Sequence, residues 1–163
     1  MRILGIDPGI GRCGWGVIDS QGAKLTVQGF GCIETSSKKE TPERLTEIYS
    51  EISNLIKKYK PEAMGIEELF FNTNAKTAFV VGQARGVILL AASQSKLNIA
   101  IYTPLQVKMS LTGYGRAEKE QIGKMVKTLL NLKEIPKPDD TADALAVALA
   151  HAFSNKFKSK MKV

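Results

Sequence analysis

Four acidic residues that lie far apart in the sequence occupy positions where folding could bring them together. Asp7 and Glu67 each end a short apolar run, and Asp140 and Asp143 open the last helical pattern. Carboxylates at close range repel one another, and burial adds a desolvation penalty, so a shared acidic pocket needs cations to stabilise it. The pattern therefore favours a divalent-metal site that acts on phosphate.

Each of these acids also has an ordinary structural interpretation. Asp7 precedes a Pro-Gly pair and could begin a turn. Asp139 or Asp140 could cap the last helix. Glu67 and its neighbour Glu68 could both be solvated charges, and the residues themselves do not choose between the two.

Turns and helix caps do not account for all four acids together. Asp7 and Glu67 end apolar strands, and α/β sheets place their ligand crevices at such carboxyl ends. Asp140 and Asp143 lie one turn apart on one helix face. A cap accounts for one of this pair but not for Asp143, which enters a small, apolar helix. Packing that helix on the sheet would carry both acids towards the strand ends, so we predict one site.

The donor set predicts which metal this site would bind. Four oxygen donors without a Cys/His cluster argue against zinc and suit Mg²⁺, with Mn²⁺ able to substitute. Two such ions about 4 Å apart clamp a phosphodiester, one activating water and the other stabilising the leaving oxygen. The single histidine, His151, lies two helical turns beyond Asp143. We interpret it as a helix-end residue rather than a catalytic base.

The composition bounds the class of protein. The chain has 163 residues, 44% of them hydrophobic, which suits one domain over residues 1–153. Residues 154–163 form a basic segment that we predict to be a flexible tail. The 23 Lys+Arg against 16 Asp+Glu leave a net charge of +7, which favours polyanions such as nucleic acid but also aids solubility. With no signal peptide or membrane-length apolar run, the protein is predicted to be soluble and cytoplasmic.

The predicted elements are typical of an α/β protein. Three strands form an antiparallel meander, and helices and strands then alternate, which predicts a mixed five-stranded sheet with helices on both faces. In the second strand Gly14 and Gly16 allow close backbone approach. Cys13 and Cys32 fall in strands and are predicted to be buried thiols. The predicted strands are 2–7, 13–19, 24–35, 63–67 and 99–103, and the helices are 41–59 (with Thr41 as N-cap), 75–95, 104–111, 117–130 and 140–153.

Seven short motifs, in a fixed order, carry a resemblance to a known family. They are Ile6-Asp7-Pro8-Gly9, Ile66-Glu67, Asn74-Ala75, Gly82-Gln83-Ala84-Arg85-Gly86, Gln106-Val107-Lys108, Ala117-Glu118-Lys119 and Asp140-Thr141-Ala142-Asp143-Ala144-Leu145-Ala146. The Asp-Pro-Gly sequence alone is weak, whereas the ordered set is specific. Over nearly its whole length the chain resembles the RuvC family of bacterial Holliday junction resolvases.

The resemblance implies a ribonuclease-H-like fold and a homodimer that cuts four-way DNA junctions in recombination and repair. The cutting would be Mg²⁺-dependent and would proceed by paired symmetric nicks that leave 5′-phosphate and 3′-hydroxyl ends. It also implies cooperation with the branch-migration proteins RuvA and RuvB. The implied catalytic and metal-binding residues are Asp7, Glu67, Asp140 and Asp143. The implied DNA-binding residues are Lys108, Lys119 and Phe70, with Phe71 as the alternative to Phe70.

Three other functions remain open at this point. A nuclease of the YqgF type shares the early Asp-Pro-Gly sequence, but tends to be shorter and lacks the Phe-bearing segment joined to residues 82–86. A non-catalytic nucleic-acid-binding protein would use the acids structurally. An actin-like or sugar-kinase nucleotide binder also begins with Asp and a glycine turn, but needs far more chain, and no Walker A sequence is present.

Overall fold

Strands and helices follow one another in the predicted order. A computed structural model describes residues 1–68 and 75–160 of the chain. In the described part, no helix combines the length and apolarity that crossing a membrane requires. The strands are β1 (Arg2–Asp7), β2 (Arg12–Gln21), β3 (Lys24–Glu34), β4 (Ala63–Glu67) and β5 (Asn98–Tyr102), and the helices are α1 (Thr41–Tyr59), α2 (Ala75–Gln94), α3 (Pro104–Thr112), α4 (Lys119–Leu129) and α5 (Asp139–Lys160).

The five strands form one mixed sheet in the order β3-β2-β1-β4-β5. The first three strands are antiparallel neighbours, as predicted for a meander. β4 is parallel to β1, with Ile6 opposite Ile66, and β5 is parallel to β4. Because the carboxyl ends of parallel strands meet at one edge, Asp7 and Glu67 follow directly after paired residues. The predicted sheet is confirmed, and it brings the first two acids side by side.

Helices cover both faces of the sheet, as predicted. Successive strand residues point to opposite faces, so Ile3 and Leu4 enter different cores. On one face Ile3 packs with α3, α4 and α5, where Leu145 is fully buried. On the other face Leu4 packs with α1 and α2 through residues such as Ile52 and Ile88. Asp7 and Glu67 therefore lie at the edge of a sheet that is packed on both faces.

Close contact with glycine positions α5 on the sheet. A Cβ atom at Gly5 would lie 2.1 Å from the carbonyl oxygen of Ala144, and one at Gly14 would lie 1.9 Å from that of Asp140. A side chain at either position would push the helix away from the strands. Gly16 also faces α5, so the predicted close approach at Gly14 and Gly16 is confirmed. The first turn of α5 is thereby held against β2, and the following turns are held against β1.

The N-cap of α1 and the starts of α4 and α5 differ from the sequence prediction, with α5 beginning one residue early, at Asp139. The N-cap of α1 is Glu40 rather than Thr41, because the Glu43 Oε2 atom accepts a hydrogen bond from the Glu40 backbone N–H at 3.0 Å. α4 begins at Lys119, two residues later than predicted. Its N-cap is Glu118, whose backbone N–H donates to the side chain of the third helical residue at 2.9 Å. Lys119 is consequently the first residue of its helix.

The last helix is longer than predicted. α5 continues to Lys160, whereas the pattern predicted an end at Phe153 and a flexible tail from Ser154. The physical reason is the lack of a stop signal, since residues 154–160 contain neither proline nor glycine. The flexibility of the basic segment 154–163 stays a prediction, and residues 161–163 lie outside the described part.

Candidate active site

Asp7 and Glu67 form the centre of the acidic site. Asp7 ends β1 and Glu67 ends β4, and their side chains are joined by a hydrogen bond. Burial raises the pKa of the Asp7 carboxyl to about 8. The negative charges of Glu67, Asp143 and Asp140 contribute to this increase, and the positive charge of Lys119 opposes it.

The pKa of the Glu67 carboxyl is raised for similar reasons. Burial raises the pKa of its carboxyl to about 7, and the charge of Asp143 acts in the same direction. Lys119, Lys108 and the hydrogen bond with Asp7 oppose this increase. Protonation of either of two neighbouring buried carboxyl groups relieves their repulsion. At neutral pH, Asp7 and Glu67 therefore hold less negative charge than two ordinary acids.

Asp143 adds a third carboxylate that is paired with a lysine. The Lys119 Nζ atom lies 2.9 Å from Asp143 Oδ2 and 3.5 Å from Asp139 Oδ2. Burial raises the pKa of Asp143, although Lys119 opposes the effect. Partial burial lowers the pKa of Lys119, but its hydrogen bond and Coulomb attraction to Asp143 prevail and raise it. Lys119 is thus a firmly protonated cation at the acidic site.

Asp140 lies beside this group and is paired with an arginine. Its Oδ2 atom is 3.3 Å from the Nε atom of Arg12, at the start of β2. The same oxygen is buried and finds no hydrogen-bond partner among the described residues. Arg12 was not among the predicted site residues, although its place directly after the turn that follows Asp7 was a usable signal. Asp140 thus presents a carboxylate oxygen with free acceptor capacity next to Asp7.

A cavity of about 220 Å³ joins the acids to the predicted DNA-binding lysines. Its polar walls come from both lysines and two of the four acids, and small apolar side chains complete it. A larger cavity of about 460 Å³, bounded by β2, β3 and α1, contains none of the predicted site residues. The residues that line the smaller cavity are Glu67, Pro104, Val107, Lys108, Lys119, Ile122, Asp143 and Ala146.

The residues of the site are chemically suited to hard cations, although their side chains are not already arranged as a coordination shell. Across residues 1–68 and 75–160, no group of three or more His, Cys, Asp or Glu side chains is arranged so that it could hold a metal ion. Asp143 and Asp140 are paired instead with Lys119 and Arg12, and burial raises the pKa values of Asp7 and Glu67. All the donors are oxygens, and Asp140 Oδ2 still has acceptor capacity. The metal-binding roles of the four acids stay predictions.

Two other predicted residues have different outcomes. Phe70 and its alternative Phe71 lie outside the described residues, so their contact with DNA stays a prediction. His151 was interpreted as a helix-end residue, which is wrong, because α5 continues for nine residues beyond it. Its ring is buried, and Nδ1 lies 2.9 Å from the Tyr102 hydroxyl oxygen. The length of α5 and this packing place His151 in a core.

Stability should fall as the pH rises from about 4 to about 8. Folding raises the pKa of Asp7 from 3.8 to about 8 and that of Glu67 from 4.5 to about 7. In this window the folded protein binds more protons than the unfolded chain, so the free energy of unfolding decreases with increasing pH. Urea unfolding of the protein in EDTA, from pH 5 to 8.5, measures this slope.

The matched variant for this experiment is Asp7→Asn. Its slope between pH 5 and 8 should be shallower than that of the parent, because the group with the pKa of about 8 is removed. A parent protein whose unfolding free energy rises across this window would contradict the burial of these carboxyl groups. Asp19 has a lowered pKa through its hydrogen bond with Arg2, so its contribution is lost only below about pH 4.

The sheet and its acidic edge define a class of protein. A mixed sheet in the order β3-β2-β1-β4-β5, with acids at the ends of β1 and β4 and in the first turns of α5, is a ribonuclease-H-like fold with a site suited to phosphodiester chemistry. The model of the family described as "Crossover junction endodeoxyribonuclease RuvC" matches residues 3–151. The chain belongs to the RuvC family.

Individual relatives agree with this assignment. A crossover junction endodeoxyribonuclease RuvC from Alkaliphilus metalliredigens is 57% identical over 163 residues, covering 100% of this chain and 99% of the relative. A solved structure of Thermus thermophilus RuvC has a TM-score of 0.90 and 38% identity, covering 97% of each chain. A T. thermophilus RuvC in complex with Holliday junction substrate has a TM-score of 0.89 and 37% identity, covering 96% of each chain.

Proposed function

We propose that this protein is an endonuclease that resolves four-way DNA junctions by paired, symmetric nicks. The observation that carries the proposal is the meeting of acids and lysines at one cavity: Glu67 and Asp143 line it together with Lys108 and Lys119, and Asp7 is hydrogen-bonded to Glu67. Acids of this kind suit cations, and lysines suit phosphate. The solved complex of the T. thermophilus relative with Holliday junction substrate supports this choice of substrate.

We propose that Asp7, Glu67, Asp140 and Asp143 hold two Mg²⁺ ions, with Mn²⁺ as a substitute. When bound, such ions supply Lewis-acid activation of water and neutralise charge on the leaving oxygen. The four carboxylates must be ionised for this purpose, so binding of cations would lower the raised pKa values of Asp7 and Glu67 and release protons from them. Lys119 and Arg12, which now neutralise the other two acids, would then be released towards the DNA backbone.

The direct test is cutting of a synthetic four-way junction in Mg²⁺. We expect cuts in two opposite strands at symmetric positions, each leaving a 5′-phosphate that a ligase can seal. Junctions labelled on each strand in turn, analysed on denaturing gels, show which strands are cut. Linear duplexes of the same sequences are the control and should stay intact. Equal cutting of junction and duplex, or no cutting of either, would contradict the proposal.

Lys119→Ala should slow junction cutting about 10- to 100-fold, because it removes the cation that would hold phosphate beside the acids. It should also reduce the slope of log affinity against log salt concentration by about one, as expected for one lost phosphate contact. The matched control is Lys124→Ala on the same helix, where Lys124 is paired with Glu120 at 2.6 Å. Equal effects of the two substitutions would show that Lys119 contributes only to the general positive charge of the protein surface.

We propose that two copies pair through an apolar surface of α2 and β5, which would supply two active sites for two nicks. Phe79 and Leu90 are 68% and 51% exposed on α2, and Ile101 is 49% exposed on the neighbouring edge strand. Gly82 and Gly86 lie on the same helix face, with open space beside them among the described residues. This surface suits the close approach of a second helix.

Leu90→Lys should convert the dimer to a monomer, because pairing would bury a charge at its centre. Light scattering after gel filtration gives the mass directly. The control is Phe30→Lys, an exposed apolar residue on β3 at the opposite edge of the sheet, which should leave the mass unchanged. A parent protein that is monomeric at micromolar concentrations would overturn this part of the proposal.

The remaining family properties are also proposed for this chain. Phe70, or Phe71 in its place, would contact the junction centre. RuvA and RuvB would be its partners in branch migration, since they act on the same substrate. We propose that the protein acts in the bacterial cytoplasm, where chromosomal junctions arise. Pull-down of the chain on an immobilised junction, with and without RuvA and RuvB, tests the partnership.

A further inference from the structure

Three exposed apolar side chains lie on α3 and on the turn that follows it, and α3 also lines the acidic cavity. Leu105, Met109 and Tyr114, which we call the α3 patch, are 59%, 49% and 57% exposed. Leu105 and Met109 are one turn apart on α3. A Cβ atom at Gly115 would lie 2.4 Å from Leu105 Cδ1 and 3.6 Å from Met109 Sδ, so the turn that carries Tyr114 rests on both residues. Clustered exposure of this kind marks an interaction surface.

The backbone of Tyr114 is held in place although its ring is exposed. The Thr112 hydroxyl donates to the Lys108 carbonyl oxygen at 2.8 Å, and Thr112 Oγ1 accepts from the Tyr114 N–H at 3.0 Å. Gly113 ends α3 in the left-handed conformation, with its N–H donating to the Met109 carbonyl oxygen at 2.9 Å. An aromatic ring on a fixed turn loses little conformational freedom on binding.

The position and the charge of the α3 patch indicate what binds to it. Lys108, which lines the acidic cavity, lies next to Met109 in sequence and one turn after Leu105. Arg116 follows the turn, and residues 104–117 contain no acid. The patch therefore combines apolar surface with positive charge, directly beside the proposed phosphate site. A nucleotide matches both features, because its base is flat and apolar and its phosphate is anionic.

We propose that the α3 patch binds a nucleobase of the DNA strand next to the scissile phosphate, with the Tyr114 ring stacked on the base. This inference rests on the proposed function and extends it to the local conformation of the substrate. A junction arm opens most easily where strands change partners, so a base there is available for stacking. Lys108 and Arg116 would contact the flanking phosphates. Tyr114 would thereby position the strand over the acids.

The test compares Tyr114→Ala with Tyr114→Phe, which keeps the aromatic ring. Binding is measured in the Asp7→Asn background on four-way junctions with 2-aminopurine at successive positions around the cut. Tyr114→Ala should weaken binding about 10-fold and increase the fluorescence of one 2-aminopurine that the parent quenches. Tyr114→Phe should match the parent within about 2-fold, since the ring provides the stacking. The control Phe30→Ala removes a comparably exposed ring far from the site and should change neither quantity.

The outcomes separate this inference from the proposed function. Because Tyr114 is exposed, the melting temperatures of its variants should match that of the parent. If the parent cuts junctions and Tyr114→Ala binds as tightly, with every 2-aminopurine unchanged, the α3 patch does not bind a base and this inference alone is wrong. Loss of binding in Tyr114→Phe as well as Tyr114→Ala would contradict stacking. A parent that neither binds nor cuts junctions overturns the proposed function, and this inference with it.

Discussion

Asp7→Asn is expected to lower the rate of junction cutting by about 1,000-fold, equivalent to about 4 kcal/mol of transition-state stabilisation. The amide has nearly the same shape as the carboxyl group, so the packing at the end of β1 is kept. It has no negative charge with which to hold cations, and the oxygens of Glu67, Asp140 and Asp143 cannot replace it from other elements. Junction affinity should stay within a few-fold of the parent, because DNA would be held by lysines.

The experiment measures single-turnover cutting in Mg²⁺ and junction binding by gel shift in EDTA. Asp19→Asn is the matched control, since Asp19 is a strand aspartate of the same sheet that is ion-paired with Arg2 at 2.8 Å. Its substitution should affect stability more than cutting. If Asp7→Asn cuts junctions within about 10-fold of the parent, the acidic site is not the catalytic centre.

Glu67→Gln should have an effect close to that of Asp7→Asn, whereas Glu68→Gln should change cutting by less than about 2-fold. The two glutamates are adjacent, yet only Glu67 lines the cavity and shares a hydrogen bond with Asp7. Glu68 is exposed, and its backbone N–H donates to the Tyr102 carbonyl oxygen at the sheet edge. Because the same substitution is made at two adjacent glutamates, the comparison tests the position of the side chain.

Titration of each variant with Mn²⁺ provides a second readout. Glu67→Gln should lose at least one of the two binding events that we expect for the parent, and Glu68→Gln should keep both. Equal losses of cutting in the two variants would show that charge near the strand end matters rather than coordination by one carboxyl group. A larger loss of cutting in Glu68→Gln would show that Glu68, rather than Glu67, belongs to the site.

Much of the fold could be predicted because local patterns are strong. The apolar runs that end at Asp7 and Glu67 predicted two strands of a mixed sheet, and the apolar positions of α1 predicted its helix. Errors were confined to element ends. The N-cap of α1 depends on where one glutamate side chain reaches, and α5 continues past Phe153 because nothing in the local sequence stops it.

The partners of the site residues were much less predictable. Lys108 and Lys119 are two of 23 basic residues, and composition does not distinguish them; the resemblance selected them, and the cavity places both beside the acids. Arg12 was missed because its pairing with Asp140 joins β2 to α5 across most of the chain. Contacts of this range depend on how α5 packs on the sheet, which the glycines permit but do not specify.

The amino-acid order by itself determined the strands and helices, the places where acids interrupt apolar runs, and the family to which the chain is similar, since all of these depend on neighbours along the chain. The resemblance selected Glu67 over Glu68, but only the tertiary structure decided that Glu67 lines the cavity with Lys108 and Lys119, and that burial raises the pKa values of Asp7 and Glu67. The physical reason is that desolvation and Coulomb repulsion depend on distances through space, which the packing of β1, β4 and α5 sets.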